Sequence, residues 1–370
     1  KSEMASRSLT RAGASALLLA CAWASALAPP ARLARAPILP RARLSAFDTS
    51  ARAPDAEVLA PAKVNLFLRI LKRREDGYHE LASLFQALAL GDTLRVWRLP
   101  PSATDSTMEI VWDDGAMGDG AVRPDVPIDG TNLVLRAVNL FALRAGLPQQ
   151  LLHVELTKRI PVQAGMGGGS ADAAAALFAA NRLAGYPASM AQLREWGAEL
   201  GSDISFFFST GTAYCTGRGE QIDSLPPLCP GQPITVLKPE EGLSTPTVFK
   251  ALDLANLSTE DPDSLLQAMT RPGGLLQPAN FVNDLEPPAL VVVPRLAVIQ
   301  EALRTQGWPV VMMSGSGTSI FCIGKPPASS EASQSGGPEL AGWSETLRCG
   351  CFPTSFVSRA ENDEKLWYGE

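Results

Sequence analysis

The segment PVQAGMGGGSADAAAAL, residues 161–177, places four glycines and a serine directly ahead of an alanine-rich run. Glycine adopts positive φ angles without strain and lets a ligand approach the backbone closely. A helix that begins in such a loop directs unpaired N–H groups and the positive end of its dipole into the loop. The segment therefore predicts an anion-binding turn at a helix start, most often a site for phosphate.

Two common kinds of glycine loop are excluded by the residues that follow the last glycine. No Lys-Ser or Lys-Thr pair is present, as a Walker A loop requires, and Ser170 stands where a dinucleotide-binding fingerprint needs its third glycine. The simpler alternative is a turn that caps a helix, with Ser170 as the N-cap residue. Four glycines in five positions exceed what a cap needs.

The composition is that of a globular protein with an acidic body. The chain has 370 residues, of which 46% are hydrophobic and 19% charged, enough for two domains with their own cores. Residues 1–54 carry Lys1 and seven arginines against Glu3 and Asp48, a balance of +6, so the −6 of the whole chain becomes −12 for residues 55–370. This balance argues against a broad nucleic-acid footprint. We also expect no stable membrane association of the body, since its apolar runs are too short to span a bilayer.

The cysteines give no sign of a metal site. Six are present, none in a C-x-x-C pair, and only two histidines accompany them. A zinc site needs more closely grouped ligands, so reduced thiols are the expected state.

Residues 1–56 are expected to be a targeting leader. Residues 15–30 form a short apolar stretch that follows Arg7 and Arg11 and ends in small residues, which is typical of a secretory signal peptide. Residues 31–54 are rich in Arg, Ala and Pro, which is typical of an organelle transit peptide. Two interpretations stay open: a bipartite leader for a plastid with extra membranes, and a single apolar transit peptide. Both predict the plastid, meaning the chloroplast stroma.

Alternation and capping signals predict an α+β fold. In AKVNLFLRIL, residues 62–71, the aliphatic side chains alternate with Lys63, Asn65, Phe67 and Arg69, which predicts a half-buried strand. Helices are predicted over residues 131–146, 189–201 and 295–307, strands on both sides of the glycine-rich turn at 314–319, and a last strand at 354–360.

The proline-rich segment at residues 225–233 is the predicted domain boundary. It separates residues 57–230 from residues 231–362, with a tail at 363–370. A mobile insertion is predicted at residues 326–340, where Ser, Gly and Pro dominate.

Several polar and aromatic side chains are candidates whose roles the local sequence leaves open. Lys63 is by itself an ordinary solvated lysine. Asp203 suits either a helix N-cap or a general base beside the phosphate loop. Tyr78 and His79 follow an Asp-Gly turn and could be core residues or contacts to a base, and the turn at 314–319 is compatible with a routine hairpin.

These pieces, in this order, resemble the GHMP kinase superfamily. Its three motifs are matched by PAKVNLFL, PVQAGMGGGSADAAAAL and MMSGSGTSIF. The further stretches REDGYHEL, LGSDISFFF, STPTVFK and NFVNDLE resemble the branch whose members phosphorylate the 2-hydroxyl of 4-diphosphocytidyl-2-C-methyl-D-erythritol, in the non-mevalonate route to isoprenoids. The resemblance covers roughly residues 57–362. It implies a ribosomal-protein-S5-like N-terminal domain, a ferredoxin-like C-terminal domain and an active site between them.

The resemblance also implies ATP and Mg²⁺ as requirements and assigns roles to residues. Asp203 would accept the hydroxyl proton, Lys63 would keep Asp203 ionised, and Asn65 would help to position the acceptor. Tyr78 and Phe249 would stack on the cytosine, and His79 would hydrogen-bond to it. The ATP loop would comprise Gly165, Met166, Gly167, Gly168, Gly169 and Ser170.

Three points stay open at this stage. The Mg²⁺ ligands cannot be assigned, although Ser170 is a candidate. Another GHMP kinase, acting on homoserine, mevalonate or a sugar, is the nearest alternative, but such an enzyme has no cytosine to stack on Tyr78 and Phe249. A nucleotide-binding protein without catalytic activity is the alternative from another class, and the retained Lys63 and Asp203 argue against it.

Overall fold

The structure is a computed structural model that describes residues 49, 52–113, 123–147, 151–324, 347–360 and 367–368. Nearly all of the expected leader and the whole insertion predicted at 326–340 lie outside the described residues. None of the described helices is long and apolar enough to cross a membrane.

Strands and helices are mixed along the whole described part of the chain, which confirms the α+β class. The strands are β1 (Ala56–Arg73), β2 (His79–Arg98), β3 (Thr107–Trp112), β4 (Leu152–Lys158), β5 (Thr212–Thr216), β6 (Gln221–Ser224), β7 (Pro233–Pro239), β8 (Val310–Met313), β9 (Ile320–Ile323) and β10 (Cys349–Ser355). The α-helices are α1 (Leu133–Ala145), α2 (Gly168–Leu183), α3 (Met190–Leu200), α4 (Thr245–Ala251), α5 (Pro262–Thr270), α6 (Glu286–Val292) and α7 (Arg295–Thr305).

The first sheet is organised by the long antiparallel pair of β1 and β2, whose register runs from Ala56 opposite Val96 to Arg73 opposite His79. Strand β2 also pairs with β4 through residues 93–98 and with β5 through residues 83–86. The order along the sheet is β3-β4-β2-β5-β6, with β1 on β2, and only the β3–β4 pair is parallel.

Burial of β1 on both faces corrects the prediction of a half-buried strand. Lys63, Asn65 and Arg69, on the face expected to meet solvent, are 4%, 1% and 5% exposed. The glycine loop covers Lys63, since a Cβ on Gly167 would lie 3.1 Å from the Lys63 Cγ. Asp284 and neighbouring backbone carbonyls cover Arg69. These polar groups are tolerated because each one has a charged or hydrogen-bonding partner.

Helix α2 is buried around its whole circumference, and this explains its alanines. Every residue from 171 to 181 is buried, and the helix contacts β1, β2, α1 and α3. A helix surrounded in this way needs small side chains so that its neighbours can approach closely. Alanine supplies them at no cost in helix propensity.

The second sheet is four-stranded, with the order β10-β7-β9-β8, and all of its pairs are antiparallel. Its hairpin β8–β9 encloses the glycine-rich turn at 314–319, as predicted. The last strand was predicted at 354–360, which is wrong: β10 begins at Cys349, where it pairs with Pro239 of β7. The proline-rich segment at 225–233 lies in the connection between the two sheets, and the division into two domains stays a prediction.

Trp367 and Tyr368, from the predicted tail, are part of the hydrophobic core that surrounds helix α2. The Trp367 ring stacks on Phe178 with centroids 4.7 Å apart. The Tyr368 hydroxyl donates to the Ser209 carbonyl at 3.1 Å. This part of the predicted tail is therefore integrated into the fold.

Candidate active site

A cavity of about 990 Å³ brings together residues of the first sheet, of helix α4 and of the β8–β9 turn. Eight of the twelve predicted site residues line it. They are Lys63, Asn65, Tyr78, His79, Gly165, Gly167, Asp203 and Phe249. The other four, Met166, Gly168, Gly169 and Ser170, do not.

A buried lysine and a partly exposed aspartate face each other at one end of the cavity. The Lys63 Nζ lies 3.5 Å from the Asp203 Oδ2, with side chains 5% and 34% exposed. Lys63 also donates to the Asn65 Oδ1 at 2.7 Å and lies 4.5 Å from the centroid of the Phe85 ring. Because Lys63 is fixed by three neighbours, Asp203 has a cation at a defined position, while its own carboxylate stays open to the cavity.

Asp203 does not cap a helix, so the N-cap alternative is wrong. It lies in the first turn of a 3₁₀ helix, Ser202–Phe208, whose N-cap residue is Gly201. The nearby Cys215 is fully buried, and burial together with the Asp203 charge raises the pKa of its thiol well above the usual value. Cys215 therefore stays protonated beside this carboxylate and is no candidate nucleophile.

The glycine loop is shaped by two residues with positive φ, Gly165 at 71° and Gly167 at 69°. A Cβ on Gly165 would lie 2.4 Å from the Ser314 carbonyl oxygen, so only glycine permits the contact between this loop and the β8–β9 turn. The alternative that Ser170 is the N-cap is wrong, because Gly167 precedes the helix and Ser170 is its third residue.

The four predicted loop residues outside the cavity have other positions. Met166 is 1% exposed, packs in the core with its side chain, and accepts the Lys63 N–H at 3.0 Å through its carbonyl. Gly168, Gly169 and Ser170 form the first turn of α2, where N–H groups have no acceptor within the helix. This first turn has the chemistry of an anion site beside the cavity.

The β8–β9 turn forms one wall of the cavity through Gly315 and Ser316. The Ser314 hydroxyl accepts the Asn65 N–H at 3.3 Å and donates to the Gly165 carbonyl at 3.2 Å, which joins the two glycine turns. Asn283, whose backbone bridges to Leu68 of β1, donates its side-chain amide to the Met313 and Gly315 carbonyls at 2.9 and 2.8 Å. The local sequence was compatible with a routine hairpin here. The resemblance of MMSGSGTSIF to a superfamily motif was the signal that this turn belongs to the site.

The other end of the cavity is aromatic. His79 and Phe249 stack on each other with ring centroids 5.0 Å apart and planes at 22°. The stacking of Tyr78 and Phe249 on a cytosine stays a prediction. Tyr78 is 58% exposed, and the Arg218 guanidinium lies 4.9 Å from its ring centroid. Burial and the neighbouring Arg73 lower the pKa of His79, so its imidazole is neutral at pH 7.

Cations outnumber carboxylates along this cavity. Arg73, Arg218 and Lys250 line it in addition to Lys63, against the single carboxylate of Asp203. Although residues 55–370 are acidic as a whole, the cavity is therefore suited to a polyanionic ligand. The sequence did not predict Arg218 as a site residue, because nothing in the local sequence connects it with Tyr78.

Known proteins share this arrangement of sequence and fold. The family model of the GHMP kinases N terminal domain matches residues 132–211, and that of the GHMP kinases C terminal domain matches residues 252–335. The chain is 42% identical over 274 residues to the chloroplastic 4-diphosphocytidyl-2-C-methyl-D-erythritol kinase of Arabidopsis thaliana, covering 73% of this chain and 68% of that one. It is also 42% identical to the kinase of the same name from Protochlamydia amoebophila, covering 72% and 84%.

Solved structures agree with these matches. A crystal structure of 4-(cytidine 5'-diphospho)-2C-methyl-D-erythritol kinase superposes with a TM-score of 0.61 at 31% identity, covering 82% of this chain and all of that one. A homoserine kinase from Cytophaga hutchinsonii, at 20% identity and a TM-score of 0.55, shares the fold, with coverage of 82% and 96%. The predicted GHMP kinase fold is thereby confirmed, and the chain belongs to the 4-diphosphocytidyl-2-C-methyl-D-erythritol kinases of the GHMP kinase family.

Proposed function

We propose that this chain transfers the γ-phosphate of ATP to the 2-hydroxyl of 4-diphosphocytidyl-2-C-methyl-D-erythritol. The observation that carries the proposal is the Lys63–Asp203 pair, which lies in one cavity with the glycine loop and the aromatic group of Tyr78, His79 and Phe249. Phosphoryl transfer depends chiefly on positioning and on charge stabilisation, and these elements supply both.

In this mechanism Asp203 is the general base. Its partly exposed carboxylate accepts the proton of the acceptor hydroxyl, and Lys63, 3.5 Å away, favours the ionised carboxylate. The same ammonium stabilises negative charge that develops on the attacking oxygen. Asn65 fixes Lys63 through its side-chain oxygen and itself lines the cavity, so it is placed to help position the acceptor.

The glycine loop would hold the triphosphate. The first turn of α2 offers N–H groups at the positive end of the helix dipole, which favour phosphate oxygens. Gly165 and Gly167 line the cavity, and positive φ at both turns the chain so that α2 begins at the next residue, Gly168. The loop contributes donors that need no reorganisation when charge develops.

The donor set near the loop suits a magnesium ion that arrives with the nucleotide. Within the described ranges, no group of three or more His, Cys, Asp or Glu side chains could hold a metal ion. Mg²⁺ in kinases is typically held by one or two protein groups together with phosphate oxygens and water. The Ser170 hydroxyl, in the first turn of α2, would be such a group here. When bound, the ion neutralises phosphate charge; the proton transfer stays with Asp203.

The aromatic end would select the cytidyl group. The His79 ring covers one face of the Phe249 ring. The base would therefore stack on the exposed ring of Tyr78 and on the other face of Phe249. The neutral His79 ring would then hydrogen-bond to an edge of the base. Stacking gives affinity with little selectivity, and the edge contact adds the selectivity.

The test is ADP release by the purified full chain supplied with Mg-ATP and the cytidyl substrate. We expect turnover with this acceptor, little with homoserine or mevalonate, and a turnover about 10³ lower for Asp203→Asn. A folded chain that uses homoserine or mevalonate instead would replace the proposal by another GHMP kinase activity. A folded chain without ADP release on any of these acceptors would refute the kinase activity.

We also propose that the enzyme works in the plastid and consists of the two domains predicted from the sequence. The composition of residues 1–56 and the chloroplastic relatives in plants support the location. The change from one sheet to the other between Ser224 and Pro233 supports the domain boundary. Residues 1–56 fused to a fluorescent protein should direct it to plastids, and a diffuse cytosolic signal would contradict the proposal.

A further inference from the structure

A buried lysine with two carboxylate partners lies beneath the glycine loop. The Lys158 Nζ bonds to the Asp172 Oδ2 at 2.9 Å and also to the Asp92 carboxylate. The side chains of Lys158, Asp172 and Asp92 are 5%, 5% and 0% exposed. None of the three lines the cavity, so they cannot contact the acceptor and the mechanism above does not use them.

These three residues connect both ends of the loop to the first sheet. Asp92 belongs to β2, and its Oδ1 accepts the N–H groups of Arg159 and Ile160 at 2.5 and 2.8 Å, directly before the loop. Asp172 lies on the second turn of α2, directly after the loop. Lys158, the last residue of β4, joins the two carboxylates. The segment 161–170 is thereby held at its entry and at its exit by one cluster.

The cluster also places a positive charge close to the expected phosphate site. A Cβ on Gly168, the first residue of α2, would lie 3.6 Å from the Lys158 Nζ. Burial lowers the pKa of Lys158, but the two carboxylates outweigh burial and raise it, so the ammonium stays charged. Burial raises the pKa of Asp172 well above its usual value, and its Oδ1 has no hydrogen-bond partner. The cluster therefore holds a buried ammonium directly beneath the first turn of α2.

We propose that Lys158 is a positioning residue for the nucleotide: through Asp92 and Asp172 it holds the glycine loop in the conformation that receives a triphosphate. The proposal rests on the proposed function in one respect, that the ligand of this loop is ATP. Lys158 is buried beneath the loop and lies outside the cavity that would take the acceptor, so its effect should fall on nucleotide affinity and spare the cytidyl substrate.

The test compares three variants of the full chain. Lys158→Met removes the central charge. Asp92→Asn/Lys158→Met/Asp172→Asn removes every charge of the cluster while retaining amide groups that can hydrogen-bond, which protects the fold. Arg95→Met is the matched control. It also removes one cation from the first sheet, but Arg95 is exposed where it pairs with Glu57 and Glu155. The measurements are the Kd of a non-hydrolysable Mg-ATP analogue by calorimetry and the KM of each substrate.

We expect the folded triple variant, and Lys158→Met where it folds, to raise the nucleotide Kd by about tenfold, or about 1.4 kcal/mol of binding free energy. The KM of the cytidyl substrate should stay within about twofold, and Arg95→Met should leave both constants unchanged. A folded triple variant with the nucleotide Kd of the unmodified chain would overturn the proposal, and so would equal losses for both substrates.

Failure of the proposed function gives a different result. An unmodified chain that binds the analogue but does not phosphorylate the cytidyl substrate would refute the acceptor and leave the Kd comparison decisive. An unmodified chain that binds no nucleotide would overturn both proposals.

Discussion

Two buried lysines should differ in how much stability is lost when each is replaced by methionine. The side chains of Lys63 and Lys158 are both 5% exposed and both face carboxylates. Methionine keeps much of the volume of lysine and removes the charge. The stability of each variant is then decided by what happens to the carboxylates that remain.

At Lys158 the remaining carboxylates cannot reach water. Asp92 is 0% and Asp172 5% exposed, so Lys158→Met leaves buried acidic groups without their cation. Removing one partner of a buried ion pair costs about 3 to 5 kcal/mol. Because the raised pKa of Asp172 lets it take up a proton, we expect the lower end, about 3 kcal/mol. For a chain of this size the midpoint of thermal unfolding should fall by roughly 6 °C.

At Lys63 the remaining carboxylate is already open to water. Asp203 is 34% exposed, so solvent replaces the lost ammonium. The Asn65 oxygen loses a donor, at a cost of about 1 kcal/mol, and the buried methionine regains part of this by no longer desolvating a charge. We expect the free energy of unfolding to change by less than about 1 kcal/mol. Turnover, in contrast, should fall by about 10² to 10³, since Lys63 also stabilises the negative charge that develops on the attacking oxygen.

The assay is thermal and urea unfolding followed by far-ultraviolet circular dichroism at pH 7, with turnover measured on the same preparations. Support requires a stable but inactive Lys63→Met and a clearly destabilised Lys158→Met. If Lys63→Met lost as much stability as Lys158→Met, partner exposure would not be the deciding quantity, and the reasoning would be refuted.

Three further changes test other parts of the structure. Asp203→Asn should lower kcat by about 10³ while the Kd of an ATP analogue stays within about threefold, and near-normal turnover would remove Asp203 from the role of base. Tyr78→Ala should raise the KM of the cytidyl substrate by about 10- to 100-fold and spare ATP, because stacking on a base is worth about 1 to 3 kcal/mol; an equal rise for both would make Tyr78 merely structural. Burial raises the pKa of Glu286, against hydrogen bonds from Met313 and Gln300, so the native state holds this proton more tightly than the unfolded chain. The stabilisation of the native state by the proton on Glu286 is complete below about pH 4.5, and it is lost as pH rises through the raised pKa of Glu286. Glu286→Gln should therefore unfold like the unmodified chain at pH 4 and at a higher temperature at pH 7; the reverse order would contradict the assignment.

Local signals were sufficient to predict several elements of the fold. Helix α1 begins after Asn132, whose side chain accepts the Val134 N–H, and ends at Gly146 with φ 65°. Helix α3 begins with a capping box between Ser189 and Gln192. In each case the residues that start or stop the helix are within one turn of it, so a single sequence contains the whole cause.

Burial of polar residues on β1 could not be predicted in this way. Alternation in residues 62–71 shows which side chains share a face, but it does not show what covers that face. The cover of Arg69 is Asp284, 215 positions away, which accepts from its Nε at 3.1 Å. Long-range pairing of this kind follows from the topology of the two sheets, and no local pattern contains it.

The proposed catalytic pair illustrates the same limit. Lys63 and Asp203 are 140 positions apart, and each had a plausible ordinary role by itself. Their resemblance to family motifs placed both in one site, and the geometry then shows why they belong together: β1 and the 3₁₀ helix after α3 meet at one end of the cavity. Arg218 and Lys158 had no such signal, because their surroundings are set by tertiary contacts alone.

The dense glycines of the loop have two separate causes, and only one of them involves a ligand. Gly165 and Gly167 are required by the protein itself, since both have positive φ and a Cβ on Gly165 would collide with the Ser314 carbonyl oxygen at 2.4 Å. Gly169 has no such neighbour, because a Cβ there would meet only Leu133 at 3.8 Å. Close approach of the backbone to phosphate, as proposed for this loop, would account for glycine at this position. A glycine-rich motif thus combines internal packing with ligand access, and only the structure separates the two.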